Sequence, residues 1–522
     1  MKMKKVFIYD ALLRDGAQGE GVSFSSTDKV FLARKLDEFG VDYIEGGWPG
    51  SNPKDIEFFN LIKNEKLKHA KIAAFGSTRH AKNKAEEDPN LLKLIEADTP
   101  VVTIFGKSWI LHVRDALRVD PETNLAMVKD SIAFLKSHGK EVIFDAEHFF
   151  DGYKDDPYYA MTVLAAAEEA GADCFSLCDT NGGCLPQDVC VIVTDVCSKF
   201  KNTPVGFHGH NDSACGVANS LMAVAAGATH VQGTINGVGE RCGNADLTGI
   251  IPALKLKMNC DVSPDVSKLT EVSRYVDEIA NLTHNKRQPY TGLSAFAHKA
   301  GIHVSAMQRN EKTYEHIKPE IVGNKRRILI SEQSGRANIL FKAKEMGFDI
   351  DAKSEEIKKL VEEIKQREHL GYEYEAADAS FELMLKKFLG KYSSPFDVLA
   401  FRVIDEDKSG EVVSEATVKV RVNDVEELTA AEGDGPVNAL DVALRKALIP
   451  FFPILEKIKL IDYKVRVLPG NKDSGTAAKV RVLVESTDGS SVWGNVGVST
   501  NIIEASYEAL IDSIEYKLLK EE

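Results

Sequence analysis

Short apolar runs alternate with longer amphipathic stretches through the first half of the chain. Each run is rich in β-branched and aromatic residues, which predicts a buried β-strand. The runs begin about 30 residues apart, which is the length of one strand followed by one helix. They start at Val6, Val41, Lys71, Val101, Glu141, Cys174, Pro204 and His230.

The stretches between these runs predict helices. Residues 25–40, for example, place apolar side chains on one helical face. Gly40, Gly171 and Gly227 stand where a helix commonly ends in glycine. Eight continuously apolar strands alternating with helices predict an α/β fold, a (β/α)8 TIM barrel, over residues 1–260. An open doubly wound sheet is the alternative, but no glycine-rich dinucleotide-binding motif follows the first strand.

The pattern changes twice after the predicted barrel. Residues 261–400 are helical and polar, and residues 354–390 within them predict one long charged helix. Residues 401–522 change to strands with a period of two, such as EATVKVRV and AAKVRVLVES. Asn438 and Asn501 each follow a glycine-containing turn and are predicted to cap one helix apiece. This repeat predicts a pseudo-symmetric C-terminal α+β domain.

Composition and charge exclude several classes of protein. Hydrophobic residues make up 43% and charged residues 28%, as in a globular protein. The net charge of -14 disfavours nucleic acid as a partner. No apolar run reaches the roughly 18 residues of a membrane span, and the N-terminus lacks the long apolar region of a signal peptide. The eight cysteines form no CxxC pair, so we expect a cytoplasmic protein with reduced thiols and no membrane partner.

Polar residues cluster at the carboxyl ends of the predicted strands. In a barrel of this kind the active site forms where the strands run into their following loops. The candidate residues are Arg14, Asp15 and Gln18 after the first strand, Glu147 after the fifth, Thr180 after the sixth, His208 and His210 after the seventh, and Asn244 after the eighth.

His208 and His210 are two residues apart on a strand, so both rings point to the same side. Such a pair is suited to bind a metal ion, although two hydrogen-bonded loop histidines are the alternative. Barrel closure places the eighth strand beside the seventh and the first, which brings Asp15 and Asn244 near the two histidines. Two nitrogens, a carboxylate and an amide oxygen predict a divalent metal site. Mg²⁺ or Mn²⁺ suits the mostly hard ligands, and Zn²⁺ is the alternative.

Two open positions on such an ion suit a bidentate ligand such as a 2-oxo acid. Arg14 could then neutralise charge that builds up on the keto oxygen, or it could form a salt bridge to Glu147 or another acid at the barrel mouth. Thr180 could donate a hydrogen bond to the substrate carboxylate, although threonines at strand ends are usually structural. Cys242 lies in the loop after the last strand, and we assign it no catalytic role.

Several motifs together resemble the metal-dependent acyltransferases that include 2-isopropylmalate, homocitrate and citramalate synthases. The resemblance covers nearly the whole chain, and the run IEGGWPGSNPKD is most similar to the citramalate branch. The motifs are LLRDGAQGEG, HGHND and GVGERCGN in the barrel, HKAGIHVSAM and KTYEHIKPEIVGN in the inter-domain region, and AEGDGPVNAL and WGNVGVSTNIIEAS in the part that resembles the family's C-terminal regulatory and dimerisation domain.

This resemblance implies a Claisen-type condensation of acetyl-CoA with pyruvate, followed by thioester hydrolysis to (R)-citramalate and CoA, in isoleucine biosynthesis. It implies that the inter-domain region contributes His303 and Tyr314 to catalysis, in many members from the partner subunit, so a homodimer is expected. On its own, His303 is equally typical of a packed helix histidine. By family position the metal ligands are Asp15, His208, His210 and Asn244, the keto-acid pocket holds Arg14, Gln18, Glu147 and Thr180, and Arg14 and Glu147 are also catalytic.

Three alternatives stay open at this point. The acceptor could be another 2-oxo acid, as in 2-isopropylmalate or homocitrate synthase, because one sequence does not give the size of the pocket. A metal-dependent barrel lyase or aldolase shares the arginine–aspartate and paired-histidine elements. An amino-acid sensor that uses only the C-terminal domain is the third. Within the favoured function, the regulatory domain is expected to bind an amino-acid feedback inhibitor, isoleucine, with leucine as the alternative.

Overall fold

The computed structural model describes residues 3–330, 336–350, 355–408, 410–468 and 478–521. It forms two compact units: Met1–Phe296 with Ile317–Lys325, and Ala297–His316 with Arg326–Glu522. The boundaries predicted at residues 260 and 400 stay predictions, because these units are defined by compactness alone. Among the described residues, no helix combines the length and hydrophobicity needed to span a lipid bilayer.

Eight parallel strands of the first unit close into a barrel, in which β1 pairs with β2 and with β8. This confirms the predicted TIM barrel. The strands are β1 Phe7–Asp10, β2 Tyr43–Gly47, β3 Lys71–Ser77, β4 Val101–Lys107, β5 Glu141–Glu147, β6 Cys174–Asp179, β7 Val205–Gly209 and β8 His230–Gly233. The helices are α1 Ser26–Phe39, α2 Pro53–Ile62, α3 Pro89–Glu96, α4 Ile110–His112, α5 Pro121–Ser137, α6 Phe149–Asp155, α7 Pro157–Glu169, α8 Pro186–Lys199, α9 Gly216–Ala226, α10 Leu247–Leu256 and α11 Leu269–Ile279.

The barrel helices begin and end where the local sequence directs them. Ser25 and Asp28 form a reciprocal capping box at the start of α1. Helices α2, α3, α5 and α7 each begin with an asparagine or aspartate cap followed by proline, whose fixed φ suits the first helical turn. At the opposite ends, Gly40, Gly171 and Gly227 have φ angles of 96°, 90° and 133°, which side chains rarely tolerate.

Two apolar layers support the barrel. The larger one lies between strands and helices and includes Ile44, Phe144 and Phe207, all fully buried. The smaller one fills the barrel interior around Tyr9 and Tyr43, whose rings stack with centroids 5.9 Å apart. Burial of such aromatic side chains is among the largest apolar contributions to folding. The strand ends that carry the candidate residues therefore rest on a rigid base.

The second unit begins with helices and ends with a repeated sheet motif. One long charged helix was predicted over residues 354–390, but the described residues 355–390 form two helices, α14 (Glu355–Leu370) and α15 (Asp378–Phe388). A turn at Gly371, whose φ is 116°, separates them. The early elements are β9 Ala297–His298, α12 Gly301–Arg309, β10 Arg327–Ile328, α13 Arg336–Glu345, α14 Glu355–Leu370 and α15 Asp378–Phe388. The later ones are β11 Asp397–Lys408, β12 Glu411–Val422, β13 Val425–Gly433, α16 Pro436–Leu448, β14 Lys459–Val467, β15 Val480–Thr487, β16 Val492–Ser499 and α17 Ile502–Glu521.

The predicted repeat is present in the topology. Strands β11–β13 form one antiparallel sheet followed by α16, and strands β14–β16 form another followed by α17. Asn501 accepts a hydrogen bond from the Ile503 amide at 2.9 Å, as expected of a cap. The prediction for Asn438 is wrong: α16 is capped by Gly435, and Asn438 lies inside the first turn, where it accepts from the Asp434 amide at 3.1 Å.

Strands β13 and β14 are edge strands with exposed apolar side chains. Leu428 on β13 is 66% exposed, and Val467 on β14 is 64% exposed. Ile461 on β14 is also more than half exposed. An edge strand offers unpaired backbone groups and favours association with another chain.

A buried ion pair fixes the loop that follows β2. The Lys29 ammonium on α1 contacts the Asp55 carboxylate and donates to the Gly46 carbonyl oxygen at 3.1 Å. Asp55 also accepts from the Trp48 amide at 2.8 Å and from the Asn52 side-chain amide at 3.1 Å. Both charged groups are nearly inaccessible to solvent. The pair therefore holds Trp48 in place at the mouth of the barrel.

We expect Lys29→Met to lower the free energy of unfolding of the barrel by about 3 kcal/mol, because it leaves the Asp55 charge buried without its partner. Arg34→Met is the matched control: Arg34 lies on the same helix but forms its ion pair with Glu65 on the exposed surface. Its loss should cost less than about 1 kcal/mol. Urea denaturation of the three proteins measures both values, and equal losses would contradict the role given to the buried pair.

Candidate active site

Asp15, His208 and His210 converge at the carboxyl ends of β1 and β7. The Asp15 carboxylate lies 3.3 Å from Nε2 of His208 and 3.9 Å from Nε2 of His210. The two Nε2 atoms are 3.4 Å apart, and the potential ligand atoms of all three residues lie within 4.8 Å of one another. All three side chains are buried. The structure thus brings together the three charged or imidazole groups that the sequence predicted as metal ligands.

Asn244 lies beside this cluster, and its backbone forms an isolated bridge with His210. Its side-chain oxygen is buried and accepts no hydrogen bond from any described residue. Its side-chain nitrogen points to the Val238 carbonyl oxygen at 3.4 Å, which leaves the oxygen as the free end. A buried acceptor without a partner is costly unless an ion or water satisfies it. The carboxylate, the two imidazoles and this amide oxygen therefore fit a divalent cation. The structure supports a metal site here but does not identify the metal.

Gln232 on β8 orients His208, and the sequence analysis missed it. Nδ1 of His208 lies 2.9 Å from the Gln232 side-chain oxygen, which can only accept, so Nδ1 carries the proton. The Gln232 side-chain nitrogen donates in turn to Asp145 at 3.0 Å. Nε2 of His208 therefore keeps its lone pair toward the cluster. The available signal was a glutamine one position before the end of this short strand.

The electrostatics of the cluster follow from burial and neighbouring charge. Burial alone would raise the pKa of Asp15, but the charge of Arg14 and the neighbouring His208 side chain hold it well below its usual range. Burial opposes protonation of His208, yet the adjacent Asp15 raises its pKa. Burial and then the charge of His208 lower the pKa of His210 to about 4, so this ring is neutral at pH 7 and keeps a lone pair. Burial raises the pKa of Asp145 to about 7.

Arg14 is held by an acid that the sequence did not identify. Its Nε donates to the Glu45 carboxylate at 2.6 Å, and Tyr9 donates to the other oxygen of Glu45 at 2.8 Å. Nη1 lies 3.5 Å from Asp15, and the guanidinium stands 3.7 Å above the Phe75 ring centroid. Arg14 is therefore clamped between two carboxylates and an aromatic face. Glu45 is fully buried within β2, so a search of strand ends could not find it.

The three other residues predicted for the keto-acid pocket lie at the same end of the barrel, and each forms a different contact. They are Gln18, Glu147 and Thr180. Glu147, which the sequence offered as a partner for Arg14, pairs instead with Lys107 at the end of β4. The Gln18 amide donates to the Asp15 carbonyl oxygen at 3.0 Å in a short 3-10 turn. The Thr180 hydroxyl accepts from the His148 amide at 2.9 Å, so its own proton is available to a ligand. Their predicted roles in the keto-acid pocket stay predictions.

His303 and Tyr314 lie in the second unit, where the structure stacks their rings with centroids 4.1 Å apart. His303 lies on α12, and Tyr314 follows a short 3-10 turn after it. Tyr314 is 45% exposed. The rings of the two residues thus lie against each other. The catalytic role that the family resemblance implies for both stays a prediction.

Arg241 joins three loops at the barrel mouth. Its guanidinium donates to both oxygens of Asp212, at 2.9 and 3.0 Å, and to the Thr180 carbonyl oxygen at 2.9 Å. These partners belong to the loops after β7 and β6, while Arg241 follows β8. The turn leaves no room for a side chain at Gly243, where φ is 89° and a Cβ would lie 2.0 Å from the Gly237 oxygen. Cys242 between them is exposed.

Comparisons with known proteins divide the chain into three matched regions. A family model described as HMGL-like matches residues 5–276. A model described as homocitrate synthase post-HMGL domain-like matches residues 290–370, and one described as LeuA allosteric (dimerisation) domain matches residues 375–518.

Individual relatives match over the full length. The (R)-citramalate synthase of Geobacter sulfurreducens is 56% identical over 524 residues, which cover 100% of this chain and 99% of that protein. The 2-isopropylmalate synthase of Methanocaldococcus jannaschii is 32% identical over 520 residues, which cover 99% of this chain and 96% of that protein. Among solved structures, the Bacillus subtilis HMG-CoA lyase aligns with 54% of this chain and 96% of its own, at 22% identity and a TM-score of 0.46.

We expect Gln232→Leu to weaken Mn²⁺ binding by about 10- to 100-fold, because His208 loses the acceptor that fixes its tautomer and orientation. Calorimetric titration of the metal-free protein with Mn²⁺ measures the change. Activity should return in part when the metal concentration is raised.

Asn338→Leu is the control for this measurement. Asn338 is also a buried side-chain amide with two hydrogen-bond partners, here the Lys299 and Leu329 carbonyl oxygens, but it lies in the second unit. This substitution should leave Mn²⁺ affinity unchanged. Wild-type Mn²⁺ affinity in a folded Gln232→Leu protein would refute the orienting role of Gln232.

Proposed function

Since the chain belongs to the HMGL-like family, we propose that it catalyses the (R)-citramalate synthase reaction. Acetyl-CoA, pyruvate and water would give (R)-citramalate and CoA, a step of isoleucine biosynthesis. The observation that carries this proposal is the 56% identity to an (R)-citramalate synthase over the entire chain. The 2-isopropylmalate synthase relative makes a larger 2-oxo acid the second candidate acceptor, at 32% identity.

The proposed metal ligands are Asp15, His208, His210 and Asn244. The carboxylate and amide oxygens favour Mg²⁺ or Mn²⁺ over Zn²⁺. When bound, a divalent ion supplies Lewis acidity toward the 2-oxo group.

Arg14 is the residue proposed to stabilise negative charge on the keto oxygen as the new carbon–carbon bond forms. Its contacts with Glu45 and Asp15 use Nε and Nη1, and no hydrogen bond among the described residues uses Nη2. The guanidinium therefore has a donor left for substrate, in a position fixed before the reaction begins. Because Arg14 cannot give up its proton, it acts only by charge and hydrogen bonding.

The remaining residues are proposed to orient the two substrates. Thr180 donates its hydroxyl proton to the pyruvate carboxylate, while Gln18 and Glu147 border the same pocket. His303 and Tyr314 act on the acyl donor, where a methyl proton must be removed and the thioester later hydrolysed. Lys107 orients Glu147 by its direct ion pair.

An aromatic wall supports pyruvate as the acceptor. Phe75, which stacks beneath Arg14, is itself stacked on Phe105 with ring centroids 5.6 Å apart. Trp48 meets both rings edge-on, at 5.9 and 5.7 Å. Its indole nitrogen donates to Asn90 at 2.7 Å, which fixes the ring. A wall of three bulky rings, with Phe75 directly against Arg14, leaves space for a methyl group more readily than for an isopropyl group.

We expect kcat/KM for pyruvate to exceed that for 2-oxoisovalerate by about 100-fold or more, because two added methyl groups must displace a packed wall. Trp48→Ala should reduce this ratio by about 10-fold. Release of the CoA thiol with each acid measures both values.

Trp109→Ala is the control, since Trp109 is another tryptophan at the barrel mouth and donates its indole N–H to Asp155 at 2.9 Å, outside the wall. It should keep the wild-type ratio. A preference for 2-oxoisovalerate in the wild-type enzyme would overturn the choice of pyruvate and leave the reaction class standing.

The C-terminal region is proposed to bind isoleucine as a feedback inhibitor. Its match to an allosteric dimerisation domain supports a dimer and regulation, without naming the ligand. Gly435 caps α16 without a side-chain hydrogen bond, so the first-turn amides of this helix can receive a carboxylate. Citramalate is a precursor in isoleucine biosynthesis, so isoleucine is the end product expected to inhibit this step.

We expect isoleucine to inhibit the full-length enzyme, and Gly435→Asp to raise the inhibitory concentration about 10-fold. The introduced carboxylate would cap the α16 amides in place of the ligand. Gly435 has a φ of 171°, so the substitution brings no backbone strain. Asn423→Asp adds the same charge in an exposed turn and should change nothing. Absence of inhibition and of calorimetric binding with millimolar isoleucine or leucine would disprove the sensing role.

A further inference from the structure

The turn that carries Asn244 is anchored at both of its ends. It runs from Gly237 to Asn244 after β8, and the Asn244 amide donates to the Gly237 carbonyl oxygen at 3.0 Å. Asn236 lies just before this turn, and Asp246 lies two residues after it. The position of the Asn244 side-chain oxygen therefore depends on what holds Asn236 and Asp246 in place.

The first anchor fixes Asn236 against α11. Asn236 has a φ of 63°, a left-handed conformation that is uncommon for a residue other than glycine. Its side-chain nitrogen donates to the Ser273 carbonyl oxygen at 2.7 Å and to the Asp277 carboxylate at 2.8 Å. Its side-chain oxygen accepts from the Ser273 hydroxyl at 2.6 Å. These three hydrogen bonds hold the start of the turn.

The second anchor is the Asp246 carboxylate, which caps α10. One of its oxygens accepts from the Thr248 amide at 2.8 Å and from the Thr248 hydroxyl at 2.6 Å. The other oxygen accepts from the side-chain nitrogen of Gln288, which lies beyond the barrel helices in the chain. The end of the turn is therefore held by a residue from outside the strands and helices of the barrel.

Both anchors are supported by one segment, residues 284–292, which we call the strap. It supplies Gln288 to the second anchor. It also supplies His284, whose Nδ1 lies 2.6 Å from one oxygen of Asp277, while the other oxygen of Asp277 accepts from Asn236. The strap therefore reaches the turn of the metal site from both sides.

The strap is folded tightly on itself. The Gly292 amide donates to the Gln288 carbonyl oxygen at 3.0 Å, and the Ser294 amide donates to the Lys286 carbonyl oxygen at 2.7 Å. A Cβ at Gly292 would lie 2.5 Å from that same Lys286 oxygen, so a larger residue does not fit. A displacement of one end of the strap is therefore passed on to Gln288.

Asn324 ties the strap to the segment that returns from the second unit. The chain leaves the barrel unit after Phe296, comes back for Ile317–Lys325 and then leaves it again. Within this returning segment, the buried side-chain nitrogen of Asn324 donates to the Tyr290 and Gly292 carbonyl oxygens at 2.9 and 3.0 Å. Asn324 ends the motif KTYEHIKPEIVGN and has no part in the proposed catalysis. Two of the segments that connect the units thus meet at the strap.

We propose that the strap positions Asn244 for the metal ion, with Gln288 and Asn324 as positioning residues, and that it couples metal affinity to the segments that run to and from the second unit. Gln288 acts through Asp246, and Asn324 acts through the backbone of the strap. The proposal rests on the proposed function through one assignment, that of Asn244 as a metal ligand. A change in the second unit that displaces either segment then alters metal binding in the barrel.

The first test is calorimetric titration of the metal-free, full-length protein with Mn²⁺. Gln288→Met removes the donor to Asp246 while nearly keeping the side-chain length, and it should weaken Mn²⁺ binding about 10-fold, as the loss of a group that orients metal ligands does. Gln288→Lys keeps a donor for Asp246 and should bind Mn²⁺ as the wild type does. Wild-type affinity in a folded Gln288→Met protein would overturn the proposal.

Asn324→Ala should also weaken Mn²⁺ binding, because the strap loses its tie to the returning segment. Thr270→Val is the matched control: the buried Thr270 hydroxyl donates to the Val322 carbonyl oxygen of the same segment at 2.6 Å, but it does not contact the strap. This control should bind Mn²⁺ as the wild type does. Equal losses in the two variants would show a general loosening of the returning segment and would overturn the role of Asn324.

A double-mutant cycle separates positioning from a general effect on the fold. In a protein that carries Asn244→Ala, Gln288→Met should cause no further loss of Mn²⁺ affinity, because the oxygen that it positions is gone. The same loss with and without the Asn244 side chain would show that Gln288 acts elsewhere, and the proposal would fail.

These binding measurements need no turnover, so they separate the strap from the proposed reaction. A protein that shows the stated losses of Mn²⁺ affinity but makes no citramalate would support the strap and reject the reaction. An enzyme that makes citramalate, with unchanged Mn²⁺ affinity in Gln288→Met and Asn324→Ala, would reject the strap and leave the reaction in place.

Discussion

Hydrogen bonding between β1 and β8 closes the barrel, and the geometry of the candidate active site depends on that closure. Tyr9 on β1 lies opposite Gln232 on β8, and His208 on β7 lies opposite the same glutamine. In this register the residues that follow β1 meet those that follow β7. A slip by one residue would turn Gln232 to the other face of its strand and take the acceptor away from His208.

Closure also concentrates charge in a space that water barely enters, so each buried charge needs a fixed partner. Arg14 has two, Glu45 and Asp15, and Asp15 lies against both histidines. The same low-dielectric setting strengthens interactions with developing charge on a substrate. The fixed partners that stabilise these buried charges in the folded protein therefore also hold them in position for catalysis.

Much of this arrangement could be predicted from the sequence because apolar strands and polar strand ends are strong local signals. The eight strands, the glycine helix ends and the convergence of Asp15, His208 and His210 follow from them. Gln232 and Glu45 were missed because polar residues inside a strand point into the barrel only once it has closed. The prediction for Asn438 was wrong because the helix begins earlier, at Pro436. The residue that caps it is Gly435, which has an extended backbone, and not an asparagine with a side-chain amide.

The exposed edge strands of the second unit have a consequence for the life of the protein in the cell. Strands β13 and β14 follow the barrel in chain order, so they leave the ribosome after the barrel has begun to fold. Edge strands with exposed apolar side chains pair readily with other chains, which makes the period before the second unit has folded the time of greatest aggregation hazard.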